Sequence, residues 1–333
     1  MSDKVKGLVS KTFSTSFKQQ EMKSCVPLYR PLTVILFFLI TGIIFIPIGI
    51  AVFVVTNNCQ EYSVKYVGEG SALTCKQGAI CEFQFNIPKP MKTPVYVYYQ
   101  LTNFYQNHRE YLRSRSNKQL KGDPISTYSQ LSDCTPLISL NNSKNPHMFY
   151  EPCGLVAASF FNDSFEITMQ PEKESSSVIL ELNKENINWK SDKKLFGEPA
   201  ERNGIKVVNS YTDPDFINWM RPAVSSTFRK LTGVIENVDE VKGNVTVKVV
   251  NNFPVESFKG TKTIILATTS VFGSKNPALG IIYMATGGVF VIIAILLFIL
   301  TRVSPRFVLY FVFYLINLYL SFSKFADKRF LRW

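Results

Sequence analysis

The chain of 333 residues carries 37 lysines and arginines against 25 acidic residues, a net charge of +12, and 46% of its residues are hydrophobic. No nucleic-acid-binding motif accompanies this positive charge, which therefore favours an anionic membrane surface over nucleic acid. The two histidines, His108 and His147, lie beside no cysteine pair, and the six cysteines match no zinc spacing. We therefore expect no metal site, no cofactor and no nucleic-acid partner.

The first predicted element is a charge-free apolar run at residues 32–55. As a helix it would reach ~36 Å, enough to cross a hydrocarbon core of ~30 Å. A second charge-free run, at residues 279–300, would reach ~33 Å. Core helices of a soluble protein would carry polar residues on one face, so the two runs predict transmembrane helices.

The positive charge is concentrated at the two ends of the chain. Residues 1–31 hold six basic and two acidic residues, and residues 301–333 hold six basic and one acidic residue. The loop at residues 56–278 is nearly balanced, with 25 basic and 22 acidic residues. Because short positive segments stay in the cytoplasm, we expect two cytoplasmic tails, with the first helix acting as an uncleaved signal anchor.

Two further signals place the loop at residues 56–278 on the lumenal or extracellular side. It contains three N-glycosylation sequons, which begin at Asn141, Asn162 and Asn244. It also contains five of the six cysteines, which invite disulfides in an oxidising compartment. These are Cys59, Cys75, Cys81, Cys134 and Cys153.

The loop is long enough to form a domain with its own core. Six segments alternate in polarity or are rich in β-branched and aromatic residues, which predicts strands at residues 82–87, 95–101, 165–169, 178–182, 244–249 and 263–272. Asp213 and Pro214 predict a helix start, and Pro222 should interrupt that helix before it resumes over residues 223–235. The predicted fold class is a membrane protein in which two transmembrane α-helices flank a large, mainly antiparallel β, sandwich-like ectodomain with small helical insertions.

Catalytic signatures are missing from the sequence. There is no GxSxG elbow, no Gly-rich P-loop, no His-Glu-x-x-His pair and no Asp-Lys-Thr-Gly-Thr phosphorylation motif. The adjacent residues of His108-Arg109-Glu110 do not converge on one substrate atom in a helix or strand, which favours polar contacts in a turn or at an interface. We therefore do not expect an enzyme.

Several motifs follow one another along the chain. They are FKQQ at residues 17–20, FIPIG at 45–49, a long run at 95–115 with the core NFYQNHR at 103–109, PCG at 152–154, FND at 161–163, DFINWMRPAVSSTFRKL at 215–231 and SKN at 274–276. In this order they resemble the cell-division-control-protein-50 or ligand-effect-modulator family. Its members are the accessory β-subunits of type-IV P-type ATPases, which are lipid flippases.

The resemblance implies a partner subunit and not a catalyst. It implies a heterodimer with the ATPase catalytic subunit, export of that subunit from the endoplasmic reticulum, and support of phospholipid transport from the outer to the cytoplasmic leaflet. Residence in the endoplasmic reticulum, Golgi or endosomes and plasma membrane follows from the same resemblance. It also implies the disulfides Cys75–Cys81 and Cys134–Cys153, with Cys59 unpaired beside the membrane and Cys25 reduced in the cytoplasm.

The resemblance points to two sets of partner-interface candidates. The first is Asn103, Phe104, Tyr105, Gln106, Asn107 and His108. The aromatic or amphipathic members of this set suit an interface, but they equally suit the core of the ectodomain itself. The second set is Gly287 and Gly288, which would let a neighbouring helix approach closely, unless they only reflect the frequency of glycine in membrane helices.

The apolar stretch at residues 307–322 departs from the family pattern. As a helix of ~24 Å it is short for a ~30 Å core, so we expect an interfacial helix on the cytoplasmic face. The alternative to the accessory subunit is a cell-surface receptor or adhesion-type glycoprotein. Such a protein would share the disulfides, glycans and β structure, but it would not need two spans with both ends in the cytoplasm.

Overall fold

The computed structural model describes residues 30–71, 75–125, 127–171 and 177–303. The expectations for Cys25 and for the apolar stretch at residues 307–322 lie outside the described residues. The chain divides into two compact units, Met1–Ala51 with Ala278–Trp333, and Val52–Pro277. We call the first the helical unit and the second the β domain.

The helices among the described residues are α1 (Pro31–Asn57), α2 (Arg109–Arg113), α3 (Asn117–Leu120), α4 (Leu155–Ala158), α5 (Lys190–Lys193), α6 (Pro214–Met220) and α7 (Ala278–Val303). Short 3-10 helices cover Tyr128–Cys134, Leu140–Asn142, Pro146–Met148 and Glu256–Phe258. Within the described residues, α1 and α7 are the helices long and apolar enough to cross a membrane. They extend the two predicted apolar runs by one to three residues at each end.

Glycines form the contact between α1 and α7 in the helical unit. A Cβ atom at Gly42 would lie 2.8 Å from the carbonyl oxygen of Gly287, and one at Gly287 would lie 2.8 Å from Cγ1 of Ile46. The rings of Phe45 and Tyr283 meet edge to face, with centroids 5.4 Å apart. The two backbones approach so closely that a larger residue at Gly42 or Gly287 would force them apart.

The strands are β1 (Glu61–Val67), β2 (Ile80–Lys92), β3 (Val95–Leu101), β4 (Tyr150–Glu151), β5 (Ser164–Gln170), β6 (Val178–Leu180), β7 (Leu182–Asn183), β8 (Ile205–Lys206), β9 (Phe228–Ile235), β10 (Glu240–Val250) and β11 (Lys262–Ala267). Sheet A has the order β1-β11-β3-β9-β7, and sheet B has the order β2-β10-β5-β6. All pairings in both sheets are antiparallel. A short parallel pair joins β4 and β8.

The two sheets share one apolar core, which makes the β domain a sandwich. Val95 and Val97 of β3 in sheet A are fully buried in the same cluster as Val245 and Val247 of β10 in sheet B. Asn244, which precedes Val245, is exposed, as the alternation of side chains along a strand requires. The structure confirms the predicted fold class of two apolar helices flanking a mainly antiparallel β domain with small helices.

The prediction of a resumed helix over residues 223–235 is wrong. Helix α6 starts and ends where Asp213 and Pro222 predict, but β9 then pairs with β3, with Phe228 opposite Leu101. Its side chains alternate in burial from Phe228 to Thr232, so the available position beside β3 decides the conformation. Two predicted strands also differ in extent: 263–272 ends at Ala267, and 178–182 divides into β6 on sheet B and β7 on sheet A.

Candidate partner surface

The segment at residues 103–108 has an outer side at the surface of the β domain. Tyr105 is 58% exposed, and Asn107 and His108 are exposed as well. The side-chain amide of Asn107 donates to the carbonyl oxygen of Val224 at 2.8 Å. Asn103 adopts a left-handed backbone with φ of 59° and donates from Nδ2 to the carbonyl oxygen of Phe258. These bonds hold the outer side chains on a fixed backbone.

The same segment has an inner side. Gln106 is fully buried, and its Oε1 accepts a hydrogen bond from the backbone N–H of Ala223 at 2.9 Å. Phe104 is half-buried, and its ring lies 5.2 Å from that of Phe258 and 5.7 Å from that of Trp219. The segment therefore contributes to the core and to the surface through different residues. Phe104 and Gln106 belong to the core, whereas the side chains of Asn103, Tyr105, Asn107 and His108 are accessible to a partner.

A buried lysine on β9 connects α6 to the sandwich through hydrogen bonds. The Nζ of Lys230 on β9 donates to the carbonyl oxygens of Asn218, Trp219 and Arg221 at 2.7, 3.2 and 2.5 Å. These are carbonyls at the C-terminal end of the helix, where a cation is favoured. Burial, and secondarily Arg221, lowers the pKa of Lys230 to about 7.

A buried ion pair lies at the centre of the β domain. Asp163 and Lys262 are separated by 2.6 Å and have side chains that are 0% and 1% exposed. The ion pair uses Oδ2 of Asp163. The other carboxylate oxygen, Oδ1, accepts hydrogen bonds from the backbone N–H groups of Asn252 and Phe253 at 2.7 and 2.6 Å. Tyr66 donates its hydroxyl to Asp163 at 2.9 Å, so both oxygens are satisfied.

The lysine of this pair is equally well satisfied. Its Nζ donates to the carbonyl oxygen of Phe253 at 2.7 Å and to Oδ1 of Asn251. Burial lowers the pKa of Lys262, and Asp163 opposes that shift. Burial raises the pKa of Tyr66 well above its usual value, and the neighbouring Asp163 adds to that effect. The hydrogen bonds of Asp163 and Lys262 therefore connect the residue before β5, the segment after β10 and the start of β11.

Among the described residues the structure contains two disulfides, the pairs that the family resemblance implies. Cys75 and Cys81 have Cα atoms 5.9 Å apart, and Cys134 and Cys153 have Cα atoms 5.7 Å apart. Asn251 connects the first disulfide to the buried ion pair, because its Nδ2 donates to the carbonyl oxygen of Cys75 at 2.9 Å. The second is fixed by Gln119 and Ser114, which bond to the backbones of Cys153 and Cys134 at 2.8 and 3.0 Å.

Cys59 is a free and buried thiol. The three sequon asparagines, in contrast, are all exposed. Asn141 lies in a surface 3-10 helix, Asn162 precedes the buried Asp163, and Asn244 lies in the middle of β10 on its outward face. Each therefore has the accessibility that attachment of a glycan requires.

The two candidate glycines of α7 differ in their surroundings. Gly287 faces α1 of the same chain, as described above. A Cβ atom at Gly288 would meet no atom within 4 Å. Of these two glycines, Gly287 packs against α1 within the helical unit, whereas Gly288 leaves space for another helix.

Comparison with known proteins gives one consistent result. The sequence profile of the LEM3 (ligand-effect modulator 3) family / CDC50 family matches residues 52–307. The chain is 34% identical over 327 residues to Cell cycle control protein 50A of Mus musculus, covering 87% of this chain and 88% of that protein. It is 38% identical over 316 residues to ALA-interacting subunit 3 of Arabidopsis thaliana, with coverage of 88% and 86%.

A third relative has a name that states a role. The chain is 33% identical over 348 aligned residues to Phospholipid-transporting ATPase accessory subunit CRF1 of Saccharomyces cerevisiae, with coverage of 89% and 86%. The matched range at residues 52–307 includes the entire β domain and α7. The similarity therefore extends over the β domain and α7 and is not restricted to one motif.

Proposed function

This chain belongs to the LEM3/CDC50 family, and we propose that it is the non-catalytic accessory subunit of a phospholipid-transporting P-type ATPase. The observation that carries this proposal is the extent of the similarity to ALA-interacting subunit 3 and to Phospholipid-transporting ATPase accessory subunit CRF1. The alignments cover 88% and 89% of this chain and 86% of each relative. The ATPase supplies phosphorylation and the lipid path. This chain supplies folding, export from the endoplasmic reticulum and support of lipid transport to the cytoplasmic leaflet.

The proposed topology has both tails in the cytoplasm and the β domain in the lumen or outside the cell. The charge distribution supports it, because the two tails carry twelve basic and three acidic residues. The exposure of Asn141, Asn162 and Asn244 and the two disulfides suit an oxidising, glycosylating compartment. The complex would then pass from the endoplasmic reticulum to the Golgi, endosomes and plasma membrane.

We assign the ATPase contact of the β domain to the outer side of residues 103–108. Tyr105 is the proposed anchor, because exposed tyrosines are enriched where proteins bind each other. Val224, which is 89% exposed and is held by Asn107, extends this surface. Phe104 and Gln106 contribute indirectly, since they fix the backbone that carries Tyr105, Asn107 and His108. In the membrane, Gly288 is the proposed point of close approach for an ATPase helix.

Purification from mild detergent tests the proposed function. We expect a P-type ATPase to copurify with this chain in a one-to-one ratio. Depletion of the chain should retain that ATPase in the endoplasmic reticulum and lower the uptake of fluorescent phosphatidylserine or phosphatidylcholine. Re-expression of the full chain serves as the control and should restore both. Unchanged ATPase location and lipid uptake after depletion would favour the receptor or adhesion alternative.

A further inference from the structure

A groove of ≈ 470 Å³ lies on the side of the sandwich where β6 and β7 form the sheet edges. Sheet B contributes Glu166 and Ile179, sheet A contributes Thr232, and the start of α6 contributes Asp213 and Asp215. Its volume lies within the range of pockets that hold small ligands. Asn162, the second of the three sequon asparagines, is part of the groove wall.

We propose that this groove binds the first sugars of an N-linked glycan carried by Asn162. The inference rests on the lumenal placement of the β domain in the proposed function, since only that side of the membrane supplies the glycan. The groove and its occupant would then belong to the same chain. The glycan would be a structural part of the sandwich and not only a surface modification.

The polar lining of the groove suits N-acetylglucosamine. The sugar presents hydroxyl and amide N–H donors, and Asp215 presents a carboxylate whose Oδ2 pairs with Lys184 at 2.6 Å. Its other oxygen has a long contact of 3.5 Å with the hydroxyl of Thr232 and keeps capacity to accept a stronger bond. Lys184, also in the lining, is a donor for sugar oxygens.

The apolar lining suits the C–H faces of a sugar ring. Phe160 and Phe165 are half-buried members of the groove wall, and Ile179 is 58% exposed there. A groove with apolar walls and a small number of polar groups binds and orients a ligand of mixed character. An uncharged sugar with hydroxyl groups has that character.

The attachment point is fixed close to the groove. The carbonyl oxygen of Asn162 accepts a hydrogen bond from Nδ2 of Asn252 at 3.2 Å, and the next residue, Asp163, is held in the buried ion pair with Lys262. A ligand tethered to a rigid root has a high effective concentration at a neighbouring site, so weak contacts suffice to hold it. Asn244 is the natural comparison, because it lies on the outward face of β10 and outside this groove.

Binding in the groove would connect the two sheets. The lining from β5 and β6 belongs to sheet B, whereas Thr232 belongs to β9 of sheet A. Sugars that contact both sides would hold together a side of the sandwich where β7 is only two residues long. Loss of the glycan at Asn162 should therefore lower the Tm of the β domain by more than loss of the glycan at Asn244.

Site-resolved release of the glycans tests the inference. The full chain, purified with its ATPase from eukaryotic cells, is treated with peptide N-glycosidase under native conditions, and release at each sequon is followed by mass spectrometry. We expect release at Asn162 to be at least about tenfold slower than at Asn244, and both rates to become equal after denaturation. Ile179→Arg should accelerate release at Asn162 by crowding the groove. Ile80→Arg, at a position 63% exposed on β2, is the matched control and should not.

The results of this experiment distinguish failure of glycan binding in the groove from failure of the proposed lumenal topology. Equal native release at Asn162 and Asn244, or slow release at Asn162 that Ile179→Arg leaves unchanged, would overturn docking in the groove. A bare Asn162 beside a glycosylated Asn244 would overturn this inference alone. Absence of glycan from all three sequons would overturn both this inference and the lumenal topology of the proposed function. As a second measure, Asn162→Gln should lower the Tm by more than Asn244→Gln.

Discussion

At the scale of single residues, the buried charges of the β domain could not be predicted from sequence. Asp163 and Lys262 are 99 residues apart in the chain, and neither belongs to a charge pattern that indicates the other. Lys262 even begins a strand in which every residue is buried. Which residues pair across such a distance depends on the order of the strands in the sheets. The local periodicity of the sequence does not predict that order.

The Asp163–Lys262 pair leads to the first prediction. Asp163→Asn leaves Lys262 buried without a counter-charge and should cost about 3–5 kcal/mol of unfolding free energy. Lys262→Met should cost a similar amount, because it leaves the carboxylate unpaired. The double variant should cost clearly less than the sum, which urea unfolding of the four proteins would measure. Asp163→Asn keeps the sequon at Asn162, because the middle residue of a sequon can be any residue except proline. Additive costs would contradict a coupled pair.

Lys230 leads to a prediction about pH. Its pKa is about 7 in the folded chain and ~10.5 in the unfolded chain. Between these values the unfolded chain binds a proton that the folded chain lacks, so the free energy of unfolding should rise with pH, by up to about 1.4 kcal/mol per unit. Urea unfolding at pH 7, 8 and 9 should show the advantage of wild type over Lys230→Met increasing with pH. Parallel curves for the two proteins would contradict the lowered pKa.

At the scale of elements, the sequence predicted those helices and strands whose conformation depends on residues close to one another in the chain. The alternation of Val245, Val247 and Val249 defined the buried face of β10, and Asp213 with Pro214 marked the start of α6. The sequence predicted a helix in place of β9, because the apolar residues after Pro222 also fit a helical spacing. Only the neighbouring β3, more than 100 residues earlier, selects the extended conformation.

The segment after β3 provides a prediction that separates core from interface. Tyr105→Ala should change the unfolding free energy by no more than about 0.5 kcal/mol, since the ring is exposed, but it should reduce ATPase copurification. Phe104→Ala should cost about 3–5 kcal/mol, because it removes a ring from the aromatic cluster with Trp219. Ile80→Ala, another exposed position on the β domain, is the control for copurification and should leave it unchanged. Copurification that Tyr105→Ala leaves intact would remove Tyr105 from the contact surface.

The glycines of α7 provide the matching prediction in the membrane. Gly287→Val should separate α1 from α7, because its Cβ would lie 2.8 Å from Ile46, and should lower the Tm of the isolated chain. Gly288→Val introduces a side chain into open space and should leave that Tm unchanged. If an ATPase helix approaches at Gly288, this second variant should weaken the complex alone. Equal effects of the two variants on the isolated chain would contradict the assignment of their faces.

At the scale of the whole molecule, we expect the membrane topology to depend on where the charge lies and not on its total. The two tails carry nine of the twelve net positive charges, although they make up 64 of the 333 residues. Moving either tail across the membrane would oppose the positive-inside tendency of the apolar helices. We therefore expect a sequon engineered after Trp333 to remain unglycosylated in cells while Asn244 in the same molecule is glycosylated. Peptide mass spectrometry would read both sites, with an added sequon at the exposed Lys248 as the positive control. Glycan at the engineered C-terminal site would place that tail in the lumen, and the apolar stretch at residues 307–322 would then have to cross the membrane as a third span.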